Sequence, residues 1–166
     1  TAADITEYQS DAGPAVKNGI YSELIANGGV ASPKGITAVE AAGRSYVVAW
    51  SDGTVAAVDV SSPGPASSGL TSSFTSQSFS SSQLGLSGAA FLSGVAAARH
   101  PADGALYILA EGSTSLGGGV YASAGVTLNR VDPSTGALTL AGSYLPPTGA
   151  KKSQSQVVLL PFDSEV

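Results

Sequence analysis

The sequence has neither cysteine nor methionine in its 166 residues. Without Cys there is no disulfide, no zinc–thiolate or iron–sulfur site and no thiol nucleophile. Charge is also scarce, at 11% of residues against the usual quarter or so. Seven Lys+Arg face twelve Asp+Glu, for a net charge of −5, so the chain lacks the basic surface that a nucleic-acid partner requires. No apolar run approaches the roughly 18 residues of a membrane-crossing helix, and no membrane span is expected. The single histidine, His100, stands before Pro101 in a turn. A general base needs an orienting partner and a nucleophile beside it, and the sequence supplies His100 with neither.

What remains is small and apolar. The chain has 26 Ser, 26 Ala and 21 Gly, and 43% of its residues are hydrophobic. That is too apolar for a chain disordered throughout, and the length suits one domain with a real core. Low charge with Ser/Thr/Gly/Ala richness predicts a protein outside the cell or on a virion or cell surface. With Met absent, Thr1 is expected to be a processed end.

The pattern along the chain is β. Residues 1–35 form an N-terminal arm. In it Asp4 and Glu7 have capping-box spacing for a short helix, and residues 20–26 are ambiguous between strand and helix. From Ile36 to Val60, alternating apolar residues are broken by turns at Ala42-Gly43 and Asp52-Gly53. Asp-Gly between two such runs predicts a two-residue hairpin with positive φ at Gly53. Residues 61–87 hold 12 Ser in 27 positions, and no charge occurs between Asp59 and Arg99. This stretch reads either as a flexible linker or as an ordered, uncharged surface carrying Leu70, Phe74, Phe79, Leu84 and Leu86. Residues 88–145 repeat the earlier pattern, with turns at residues 100–104 and 132–136. After Pro146-Pro147, residues 146–166 hold a last apolar strand, Gln156–Phe162. The whole suggests nine or ten strands in one β-rich domain. Val47, Val58, Leu106, Ile108, Leu128 and Leu140 are its expected core.

Two segments match each other. Ser45–Trp50 leading to Val58-Asp59 parallels Ala105–Ala110 leading to Val131-Asp132. The first copy, Ala38-Val39-Glu40-Ala41-Ala42-Gly43-Arg44-Ser45-Tyr46-Val47-Val48-Ala49 through Val58-Asp59-Val60-Ser61-Ser62-Pro63, resembles the LVIVD-type β-propeller repeat. The second, Asp103-Gly104-Ala105-Leu106-Tyr107 through Asp132-Pro133-Ser134-Thr135-Gly136, is similar to a generic propeller blade. The resemblance covers about 100 residues and implies blade-like antiparallel sheets. Blades run about 40 residues and at least four close a ring. Two are found, so the fold expectation is all-β: a partial or small propeller, or a β-sandwich.

No motif carries catalysis. The acidic residues are scattered, and Asp52, Asp103 and Asp132 sit in turns where they cap backbone N–H groups. A hydrolase with dispersed carboxylates is the remote reading. No cofactor and no metal is implied. The leading expectation is a non-enzymatic structural subunit that assembles with copies of itself or with other protein chains. The second is a propeller-type recognition module for protein or carbohydrate. Candidate surface residues are Tyr46 and Trp50, on one strand face four residues apart, then Phe74 and Phe79, and Val157 and Leu159 in the terminal strand.

Overall fold

The computed structural model describes residue 20, residues 23–62 and residues 74–147. Eight strands lie among them: β1 (Gly35–Ala41), β2 (Arg44–Trp50), β3 (Thr54–Asp59), β4 (Thr75–Ser80), β5 (Phe91–Arg99), β6 (Leu106–Gly117), β7 (Val120–Val131) and β8 (Leu138–Tyr144). They form two four-stranded antiparallel sheets, in the orders β1-β2-β3-β4 and β5-β6-β7-β8. Within each sheet every strand pairs with the next in sequence, and the connections are short except that between β3 and β4, which runs from residue 60 to residue 74. Residues 23–26 are helical, so the ambiguous 20–26 segment turns helical where it is described. The proposed helix near Asp4 and the terminal strand Gln156–Phe162 lie outside the described residues.

The sheets share one apolar core. Tyr46, Val48, Val55, Ala57 and Phe79 of the first meet Leu92, Leu106, Ile108, Ala110 and Val131 of the second. The spacing of these residues is two, so one face of each strand supplies them. The closest approach between sheets is β1 against β5 and β6. A second cluster lies on the other side of the first sheet, where Leu24, Val30 and Phe74 cover Ala49, Ala56 and Val58. With both faces covered, Val55, Ala56, Ala57 and Val58 are each at most 1% exposed.

The serine-rich connection is ordered wherever it is described. Residues 75–80 are not a linker; they are the fourth strand of the first sheet, in register with β3 from Thr54↔Ser80 to Asp59↔Thr75. The first sheet therefore runs from Gly35 to Ser80, past the end of the first repeat at residue 60. Beyond it Leu84 and Leu86 turn inward and are buried between the sheets. Serine is tolerated in β4 because the Ser76 hydroxyl donates to Glu23 Oε1 and the Ser78 hydroxyl to the Gly28 carbonyl, while Phe79 supplies the strong burial.

Three expected core positions differ. Leu128 is only half-buried and Leu140 is 55% exposed, while Thr127 and Asn129 are buried in β7. The inward face of that strand is one residue out of phase with its hydropathy, which moves a whole set to the other side. The polar pair faces inward because the Asn129 Nδ2 donates to the Leu84 carbonyl and to Thr127 Oγ1, both at 3.2 Å. Leu140 shares the inner side with its partner Asn129, but on edge strand β8, where little covers it. Val47 points away from the shared core and is half-buried. Val58, Leu106 and Ile108 are buried as expected.

The Asp52-Gly53 turn closes a hairpin, with the Ser51 N–H donating to the Thr54 carbonyl at 2.9 Å. Gly53 is nonetheless absent from the positive-φ positions, contrary to the expectation. Its geometry is set by neighbours: the Asp52 carbonyl accepts from the Leu92 N–H, and the Gly53 carbonyl from the Ser81 N–H. The primed turn is Ala42-Gly43, with φ of 52° and 71°.

Candidate assembly surface

Most of the aromatic residues expected on a surface are core. Tyr46 and Phe79 are each 3% exposed between the sheets. Phe74 is 9% exposed against Leu24 and Val30. The correction has one cause: the second sheet covers one face of the first at Tyr46 and Phe79, and the segment from Leu24 to Val30 covers the other beside Phe74. Trp50 does share the face of Tyr46 and is half-buried, its indole lying across Gly35 and leaving no room for a Cβ there. Val157 and Leu159 lie outside the described residues.

The open apolar face belongs to the second sheet. Registers Leu109↔Leu128, Ala96↔Leu109 and Val126↔Tyr144 place these side chains together, opposite the shared core. Leu109, Val126 and Leu128 are half-buried and Tyr144 is 63% exposed. Leu145, just after β8, is 69% exposed. No described element covers this face, whereas the helical turn and Val30 cover the corresponding face of the first sheet. Glu111 shares the face, buried at 5% and engaged in a polar or electrostatic interaction. Strand β8 is also a sheet edge, so its outer backbone groups face away from β7.

A polar rim closes one end of this face. Arg130 Nε donates to Asp103 Oδ2 at 2.9 Å, and the Tyr107 hydroxyl approaches the same oxygen at 3.4 Å. His100 Nδ1 lies 3.5 Å from Asp103 Oδ1, and its ring centroid is 4.9 Å from that of Tyr107. The Arg130 hydrogen bond, then that from the Ala105 N–H, holds the Asp103 carboxyl below the usual carboxylate range. Desolvation, with Asp103 close by, raises the Tyr107 phenol. These groups are satisfied by one another, as a rim requires. An apolar centre with a polar border is the anatomy of a protein interface.

At the opposite end, the β6–β7 hairpin projects past β5. Its tip turns through Gly117, Gly118 and Gly119, all at positive φ, and presents Leu116 and Tyr121 at 53% and 43% exposure. Phe91 packs edge-on against Tyr121 with centroids 5.3 Å apart, and Lys34 lies over the Phe91 ring while pairing with Asp52.

Among the described residues no three His, Asp or Glu side chains are placed to hold a metal. Asp52, Asp103 and Asp132 do sit in turns. Asp132 Oδ1 accepts from the N–H and hydroxyl of Ser134 and from the Thr135 N–H, and these bonds depress its carboxyl strongly. Sequence reasoning missed the face because it ranked aromatic residues above aliphatic ones. The signal was present as the alternation Val126-x-Leu128-x-Arg130. Compared with protein-family models, curated proteins and solved structures, the chain matches none.

Proposed function

We propose that this chain is an assembly module whose two sheets are propeller-type blades, and that the outer face of the second blade receives another protein surface. The observation that carries this is the asymmetry of cover. The first sheet is covered on both faces at β2 and β3, while among the described residues the second keeps an aliphatic face bordered by self-satisfied polar groups. The up-and-down order within each sheet, and the approach of β1 to β5, support the blade reading. Burying these Leu, Val and Tyr side chains contributes about 25 cal/mol per Å² of apolar area. The occupant is a second copy of the chain, and the module works by packing rather than by chemistry. The weakly charged, Ser- and Ala-rich composition supports a setting outside the cell or on a virion or cell surface.

Light scattering across a concentration series tests this. The full chain is expected to associate, and Leu128→Lys to stay monomeric with unchanged circular dichroism. A full chain that is monomeric at every concentration refutes assembly. If removing residues 154–166 is what dissociates the oligomer and Leu128→Lys does not, the contact belongs to the terminal strand and the face assignment is wrong.

A further inference from the structure

A second site lies away from that face, along the free edge of β4. The register determines which groups that edge presents. The Ser81 N–H donates to the Gly53 carbonyl at 3.1 Å, so Ser81 faces β3. Backbone groups alternate along an antiparallel pair, which turns Gln77 and Phe79 toward β3 and Ser76, Ser78 and Ser80 away from it. Ser80 has the same parity: its N–H donates to Gln83 Oε1 at 2.9 Å and its carbonyl accepts from the Leu84 N–H at 3.0 Å. Those contacts close one end of the edge. The outward N–H and carbonyl groups of Ser76 and Ser78 take no partner among the described residues, and Ser78 is exposed. Natural sheet edges are usually blunted by lysine, proline or a bulge, and β4 carries none of these.

A side chain beside the edge lacks partners too. Gln77 lies opposite Ala57 and Phe79 opposite Val55, so both project to the inner side, toward the second sheet. Gln77 reaches the β7–β8 turn, where its Nε2 and Cδ come within 2.7 and 2.8 Å of the position a Cβ on Gly136 would take. Its Oε1 is the one buried side-chain polar atom without a hydrogen-bond partner among the described residues, and its Nε2 has no acceptor among them. An unmade bond of this kind costs stability, and native proteins keep few of them. Between the edge and the turn lies a cleft of about 450 Å³, lined by Gln77, Ser78, Phe79, Gln83 and residues 135–138. No charged side chain lines it.

Unpaired backbone groups that recur every second residue match the repeat of another strand. We infer that the β4 edge receives an extended, uncharged peptide segment of another protein, which adds as a fifth strand beside Ser76 and Ser78 and sets a carboxamide side chain against Gln77. Main-chain hydrogen bonds supply the affinity, and the side chain opposite Gln77 supplies the selection. A carboxamide suits that position because it carries donor and acceptor together and so serves both halves of the glutamine amide. The broad terminal torsion of glutamine lets that amide turn to meet it. A charged side chain there would lose hydration against Phe79 and Leu138 and find no opposite charge in the cleft.

Amide chemical-shift titration of the full chain carrying Leu128→Lys tests this, since that substitution takes self-association through the second sheet out of the measurement. The probe is the capped peptide Val-Thr-Asn-Thr-Val, whose Asn comes opposite Gln77 when its two Thr pair with Ser76 and Ser78. Saturable shifts at Ser76, Ser78 and the Gln77 side-chain amide are expected, with slowed exchange of the two serine N–H groups. Replacing the peptide's Asn with Val should weaken binding about tenfold, the loss of a pair of hydrogen bonds. Replacing both Thr with Pro should abolish it, because the ladder donors are gone. Ser78→Pro in the protein should abolish it as well, since it removes an outward N–H and leaves the ladder with β3 whole. No saturable shift overturns the inference, and so does a Pro-substituted peptide that binds as tightly or binding that survives in folded Ser78→Pro. Equal affinity of the Asn and Val peptides overturns the role of Gln77. The same saturable shifts with N-acetylasparagine amide alone would make the cleft a small-molecule site and refute strand addition. Should Ser78→Pro not fold, the Pro-substituted peptide tests the same bonds on the intact chain. Oligomeric state is not the readout, so this test fails or succeeds independently of the assembly proposal.

Discussion

Replacing Asn129 with alanine probes whether a buried polar contact anchors the connection between the sheets. Asn129 is 1% exposed on the inner face of β7, and its amide donates to the Leu84 carbonyl. Leu84 is itself fully buried, so truncation leaves a carbonyl with neither protein nor water to pair with. An orphaned buried acceptor costs about 1–3 kcal/mol. The hole left by the amide adds on the order of 1 kcal/mol. Thr127 Oγ1 loses a donor too, but a hydroxyl rotates to suit its surroundings. The expected loss is therefore roughly 2–4 kcal/mol, or about 1–2 M in urea midpoint at a slope near 2 kcal/mol per M. Amide hydrogen exchange should quicken at Leu84 and Leu86 before it does in β2. Asn27→Ala is the control, because that amide contacts Glu23 at the exposed surface and its loss should stay within about 0.5 kcal/mol. Asn129→Asp adds a sign. Burial raises the introduced carboxyl's pKa in the folded state, so the folded chain holds its proton more tightly and stability falls as pH rises above about 4. An Asn129→Ala midpoint within about 0.25 M of wild type refutes the anchoring role.

Ala42→Gly should stabilise by about 0.5–1 kcal/mol, read as a higher urea midpoint, because glycine accepts the positive φ without steric loss. Gly53→Ala should change the midpoint by less than about 0.5 kcal/mol, since its φ is ordinary and no atom lies within 4 Å of an added Cβ. Gly136→Ala should destabilise, because Gly136 has φ of 71° and the new Cβ would sit 2.7 Å from Gln77 Nε2; an unchanged melting temperature disproves that packing. Acidification should weaken the fold. Hydrogen bonds from Ser134 and Thr135 to Asp132, and from Arg130 to Asp103, depress both carboxyls, so their contribution is complete above the unfolded carboxylate pKa and is lost as pH falls through the folded ones. Asp132→Asn should flatten the acid limb of a stability-versus-pH curve, and an unaltered limb would count against that assignment.

Seven of the eight described strands, all but β4, and most of their turns are legible in the sequence. Alternation at Ser45–Trp50 and Ala105–Ala110, with Gly at the breaks, has local physical causes: side chains alternate across a strand, and glycine takes conformations that others resist. It determined no more than this because a local pattern does not say which face meets another sheet. Tyr46 and Phe79 read as surface candidates, yet the second sheet and the helical turn near Leu24 bury the faces of the first. Leu128 and Asn129 exchanged expected places because a hydrogen bond to Leu84, 45 residues away, outweighs the hydropathy of the strand. Gly53 lost its expected φ to backbone contacts with Ser81 and Leu92. Serine-rich β4 became a strand through a full ladder with β3, since backbone pairing is indifferent to side-chain polarity at an edge. The joining of the β1–β2 and β5–β6 turns was not legible at all, because the Ala42–Gly104 hydrogen bond links residues far apart in sequence. Long-range pairing decided these points, and it is carried by atoms that no single window of sequence contains.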